Sequence, residues 1–149
     1  MHSYLVIGQA VEERSVYIND RLKNMGISGF DVITPISDTL SIGIQDIRVF
    51  IHKLSLLPHQ SPHVAGVIDK AEKLTLEAQQ SLLKTLEEPP ALAYIFLGAD
   101  NTYQLIPTIV SRCQVVMLTH AAIPQPKTEK QRQLSSYVND METMRPGKK

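Results

Sequence analysis

The sequence predicts an α/β fold built on a parallel sheet, and two observations predict it. The first is an alternation of short apolar runs with stretches of helical periodicity, clearest between Val64 and Cys113. There an apolar run ends in Asp69, and leucines at Leu82, Leu83 and Leu86 mark a helix that stops at Pro89-Pro90. Ala93 to Leu97 gives a second apolar run, and a short helical segment delivers Ser111-Arg112-Cys113. Strand, helix, strand, helix in that rhythm reads as two βαβ steps. The second observation is size: 149 residues, 43% of them hydrophobic, suffice for one domain with a core.

Composition narrows the function classes. Formal net charge is zero, so no global field favours nucleic acid. Cys113 is the only cysteine, which excludes an internal disulfide and an all-cysteine metal site and fits a reduced, cytoplasmic setting. No apolar run reaches the roughly 18 residues of a membrane span. The start, Met-His-Ser-Tyr, lacks the charged flank of a secretory signal.

The segment ending in Asp69, the stretch SLLKTLEEPP and the triplet Ser111-Arg112-Cys113, in that order and at those separations, resemble the ATPase core of bacterial clamp-loader subunits. These form the AAA+ group that includes the gamma and delta prime subunits of DNA polymerase III. The resemblance covers roughly residues 2 to 118 and is strongest from Ser41 to Gln114. It implies a P-loop NTPase-like, three-layer core with a parallel sheet, here over residues 1–120, followed by a linker and C-terminal helix over 121–149. Family members continue with a helical lid and a further helical domain. With the chain ending at Lys149, the lid is expected to be reduced or missing.

Taken in order, Tyr4 to Ile7 reads as a buried strand ending at Gly8. Ile18, Leu22 and Met25 follow at helical spacing, with Gly26 as the stop. A P-loop belongs between them. It needs Gly-x-x-x-x-Gly-Lys-Ser/Thr, so that backbone amides wrap the phosphates, Lys neutralises them and the hydroxyl binds magnesium. Gly8 and Ser15 match that frame, but Glu13 replaces the second glycine and Arg14 replaces the lysine. Glu12 and Glu13 would then face a triphosphate, a repulsive arrangement. An ordinary helix start with acids in its first turn is the better reading.

Phe30 to Thr34 is the second expected strand, closed by Pro35. Ile44, Ile47, Ile51 and Leu54 predict an amphipathic helix over residues 44–57. In the resembled family its start lies near DNA, where free amides could hold a phosphate. Ser41, Ile42 and Gly43 bring no basic side chain, and Arg48 one turn in reads equally as a solvated face. His52, His59 and His63 read as surface histidines, since a metal needs further ligands in fixed geometry.

Val64 to Ile68 should be a central strand, with Gly66 marking close approach by a neighbour. Asp69 lies at that strand's C-terminal end, where open α/β sheets bind ligands. It matches the family's Walker B aspartate, which orients magnesium. Lys70 stands where the water-polarising glutamate belongs and cannot accept a proton while charged. Without a P-loop, Asp69 reads as a helix-cap or turn residue. Thr75 is the expected N-cap of the leucine helix. Glu87 and Glu88 fall at its C-terminal end, where the dipole disfavours acids. They read as a solvated end or as a pair awaiting a cation from elsewhere, such as a neighbouring subunit.

Asp100 falls in the family's phosphate-sensing region, where it would repel phosphate. Leu105 to Val110 gives a short helix and Val115 to Leu118 the last strand. Leu134, Tyr137, Val138 and Met141 predict a trailing helix over about 127–144. In the resembled family the arginine of the SRC triplet reaches the γ-phosphate of ATP on the adjacent subunit. The resemblance therefore implies Arg112 as an arginine finger in trans; the alternative is a structural arginine paired with an acid such as Asp100.

Together these readings give an ATPase-inactive clamp-loader subunit acting in DNA replication, most like the delta prime type. It would have no metal or cofactor of its own, with ATP only at a neighbouring subunit. Its partners would be other clamp-loader subunits and, through the assembly, the sliding clamp and primer-template DNA; no membrane is involved. The rivals are a divergent P-loop ATPase using Arg14 for lysine, and a truncated paralogue that acts only as an interaction module.

Overall fold

A computed structural model describes residues 2–119, which belong to a compact unit spanning Met1–Thr119. The expected linker from residue 121 and the trailing helix lie outside the described residues. The elements run β1 (Ser3–Ile7), α1 (Val11–Asn24), β2 (Val32–Ile33), α2 (Ile44–Leu54), β3 (Val64–Ile68), α3 (Leu76–Glu87), β4 (Ala93–Ala99), α4 (Pro107–Arg112) and β5 (Gln114–Met117). The five strands form one parallel sheet in the order β2-β3-β4-β1-β5.

A parallel sheet buries both faces, so its inner strands are apolar on both sides. Leu5, Ile7, Ile68, Ile95 and Leu97 pack against Ile47, Phe50 and Leu54 of α2, Leu82 and Leu86 of α3, and Ile109 of α4. On the opposite face Val6, Ala65 and Phe96 pack against Ile18 and Leu22 of α1. The result is three layers, helix, sheet and helices, as a P-loop NTPase-like fold requires.

Local chemistry sets the boundaries. Gly26, at φ 71°, takes the left-handed conformation that closes α1. The Thr75 hydroxyl accepts from the Ala78 amide and caps α3. Pro107 opens α4 at a position where no N–H is needed. Gly66 is required by close packing: a Cβ there would lie 2.5 Å from Phe50 Cζ and 2.8 Å from Leu54 Cδ2. That contact seats α2 on the sheet.

The second strand departs from expectation. Only Val32–Ile33 pair with β3, because Gly29–Asp31 form a 3-10 turn whose start is capped by the Ser28 hydroxyl. Phe30 is consequently exposed rather than buried. The buried Asp31 carboxylate accepts from the backbone amides of His59, Gln60 and Ser61, pinning the loop that leads into β3. Helix α2 also stops at Leu54 rather than residue 57, leaving Leu56 and Leu57 exposed.

The amide donors, the His59 N–H foremost, lower the Asp31 carboxyl from 3.8 to about 2 against the opposing effect of burial. A carboxyl with a lowered folded-state pKa stabilises the fold above its unfolded value and loses that contribution as acid protonates it. Asp31→Asn is therefore expected to flatten the part of the acid sensitivity that falls between about pH 4 and pH 2. Urea midpoints measured across that range in both proteins provide the check. Parallel profiles for the variant and its parent would mean that Asp31 contributes nothing to it.

Candidate functional site

All five strands run the same way, so the C-terminal ends of β1, β3 and β4 present Gly8, Asp69 and Asp100 along one edge. Only Gly8, Gln9 and Ala10 separate β1 from α1. Val11 to Ser15, the rest of the P-loop frame, already lie on the helix, with Glu12 and Glu13 in its first turn. Two backbone donors of that frame are already engaged: the Gly8 amide donates to the Ala99 carbonyl and the Arg14 amide to that of Ala10.

Arg14 occupies the centre of this edge and is wholly buried. Its Nη1 donates to the Gly8 carbonyl and to Asp100 Oδ1, each at 2.7 Å. Nη2 donates to the Asp69 carbonyl at 3.0 Å, and Nε faces Asp69 Oδ1 at 3.4 Å. The Ser15 hydroxyl donates to the other Asp69 oxygen at 2.9 Å. The serine and aspartate that in the resembled family share a magnesium ion thus bond directly to each other. Gly98 makes room for the arrangement, since a Cβ there would lie 2.6 Å from the Asp69 carbonyl oxygen and 3.0 Å from Arg14 Nε.

Of the two readings of Asp69, cap or turn, the turn holds: it lies in the turn after β3, where its carboxylate is a partner of Arg14 and Ser15. The pairing expected of Asp100 is corrected. Asp100 does pair with an arginine, but with Arg14 and not with Arg112. Lys70, beside Asp69, is exposed.

Arg112 lies at the opposite edge. It ends α4, just before β5, beside His2 at the start of β1. The two edges are separated by the length of the strands, about 17 Å for five residues. Arg112 Nη1 donates to the Thr108 carbonyl at 3.3 Å, and Nε stands 3.6 Å from Glu87 Oε2. The cation that Glu87 meets is therefore in the same chain, at the end of the neighbouring helix. His2, Leu86, Glu87, Pro89, Ala91 and Arg112 line an open cavity of about 440 Å³. Cys113 is buried under this edge, and burial pushes its thiol up to about 12, so at neutral pH it is a protonated packing group.

The remaining sequence candidates are dispersed. The start of α2 has a carboxylate on it: Asp46 accepts from the Gly43 amide, and Arg48 is exposed. The His63 ring packs edge-on to Tyr94, and the His2 ring stacks on the same tyrosine. Among the described residues no group of three or more His, Cys, Asp or Glu side chains is placed to hold a metal. No described helix is long and apolar enough to cross a membrane. Sequence reasoning did not find Asp31 or the central position of Arg14. The usable signal for the second was an arginine and two aspartates, each placed near the C-terminal end of a parallel strand.

The family model described as DNA polymerase III, delta subunit, matches residues 9–122. Among curated proteins the chain is 39% identical over 74 residues to DNA polymerase III subunit delta' of Haemophilus influenzae, covering 50% of this chain and 23% of that one. It is 34% identical over 85 residues to DNA polymerase III subunit tau of Bacillus subtilis, covering 53% and 15% respectively. The chain thus spans a quarter or less of the length of these relatives. The solved structure of a DNA polymerase III gamma subunit-related protein from Thermotoga maritima superposes with a TM-score of 0.70 at 26% identity, covering 95% of this chain and 50% of that one. Fold, strand-end geometry and a family match over most of the described residues agree, and the chain belongs to the DNA polymerase III delta subunit family.

Proposed function

We propose that this chain acts in DNA replication as a clamp-loader subunit that holds no ATP of its own and supplies Arg112 to the ATP site of an adjoining subunit. In this reading its partners are other clamp-loader subunits and, through their assembly, the sliding clamp and primer-template DNA in the cytoplasm. The observation that carries it is the burial of Arg14. A guanidinium held by two carboxylates and two carbonyls stands where a triphosphate would need free donors. Opening the site would strip a buried cation of its partners, and phosphate would then meet Asp69 and Asp100. The same geometry weighs against the rival in which Arg14 replaces the P-loop lysine, because its fork is turned inward onto the protein's own oxygens.

The test is a calorimetric titration of the full chain with magnesium-ATP, which is expected to give no saturable heat. A dissociation constant near 1 μM, about −8 kcal/mol, would overturn the proposal.

A further inference from the structure

We infer that Glu87 is the positioning residue for Arg112, holding its guanidinium ready for the phosphate of an adjoining subunit; the inference rests on the trans-acting role proposed above. Arginine carries a long, mobile stem, and a group that acts across an interface gains from being held beforehand. Arg112 has two anchors. The Thr108 carbonyl accepts from Nη1 at 3.3 Å, and Glu87 Oε2 faces Nε at 3.6 Å.

The anchors belong to different elements. Thr108 is on α4 itself, so it fixes the side chain only to its own helix. Glu87 is the last residue of α3, and α3 is tied to the sheet independently: the Ser3 hydroxyl donates to the Leu86 carbonyl at 3.0 Å, and Leu86 is buried in the core. The Glu87 contact therefore sets the guanidinium relative to the whole domain. A carboxylate at a helix C-terminus is disfavoured by the dipole, and a neighbouring cation offsets that cost. Nε is turned to Glu87 and Nη1 to Thr108, and Arg112 keeps 31% of its side-chain surface exposed.

The pair is partly exposed, with Arg112 Nε itself buried, and at 3.6 Å it is an ion pair without a hydrogen bond, so its contribution is modest. In a loader reconstituted from the full chain and its ATPase subunits, Glu87→Gln is expected to lower kcat for ATP roughly two- to fivefold, the range open to an exposed ion pair. KM should not change, because nucleotide is bound by the neighbour. Glu87→Asp should recover part of the loss. In an Arg112→Ala background Glu87→Gln should cause no further loss, since residues acting as a unit are not additive. A Glu87→Gln effect that persists undiminished without Arg112 would show a structural role and overturn the inference. Full activity in Glu87→Gln beside a large loss in Arg112→Ala would overturn it while leaving the trans-acting role intact. Full activity in Arg112→Ala would remove that role, and the inference with it.

Discussion

Arg112→Ala is expected to slow ATP hydrolysis at the adjoining subunit of an assembled loader by up to about 10³-fold, the scale of an arginine finger. Charge develops on the phosphoryl oxygens in the transition state, and a permanently charged planar fork placed there in advance lowers the barrier without reorganisation. The isolated chain should lose little. Arg112 is half-buried, and its ion pair with Glu87 is partly exposed and 3.6 Å long, so the unfolding free energy should stay within about 1 kcal/mol of the parent. Steady-state hydrolysis by the complex and urea unfolding of the chain measure the two quantities separately. A chain that unfolds readily, in a complex that hydrolyses ATP normally, would make Arg112 a structural residue.

The opposite result is expected at the other edge of the sheet. Arg14→Ala should destabilise the fold by about 2–4 kcal/mol. The loss comes from three sources: the packed stem, two carbonyl oxygens left without a donor, and two carboxylates left facing each other without a cation. The last is discounted because Asp69 and Asp100 keep 27% and 45% of their side-chain surface and can rehydrate. Arg14→Lys should recover only part of the loss, since an ammonium cannot reproduce a planar fork that meets Gly8, Asp69 and Asp100 together. Urea denaturation reads both variants. An unchanged midpoint in Arg14→Ala would mean that the buried guanidinium does not hold these strand ends.

Local pattern carried most of the fold. Val64 to Ile68 is a strand over the expected residues, Thr75 caps α3, Gly26 ends α1, and the leucine helix buries Leu82 and Leu86. Each of these depends on near neighbours or on a single periodic face. The mismatches came from contacts between residues far apart in sequence. Phe30 leaves the second strand because Ser28 caps a turn and Asp31 is drawn to a loop 28 to 30 residues later. At the site, the resemblance of Gly8, Arg14, Ser15 and Asp69 to a broken P-loop and its acidic partner was legible. Their mutual bonding was not. A substituted lysine position reads as something lost, whereas Arg14 has gained a set of partners supplied by three strand ends. The alternative of an acid such as Asp100 beside Arg112 held for the acid but not for its identity, which is Glu87, since nothing local assigns Asp100 to residue 14 rather than to residue 112.

The buried guanidinium also bears on the order in which the chain folds. Its side-chain partners stand 55 and 86 positions away, and the Ser15–Asp69 bond spans 54. Loops of that length must close before any of these bonds forms, and closure on that scale follows alignment of β1, β3 and β4 rather than leading it. Contacts made after the rate-limiting step do little to hasten folding and act mainly to retard unfolding. A nucleotide would hold such strand ends only while bound; an arginine built into α1 fastens them for the lifetime of the folded chain, at any ATP concentration.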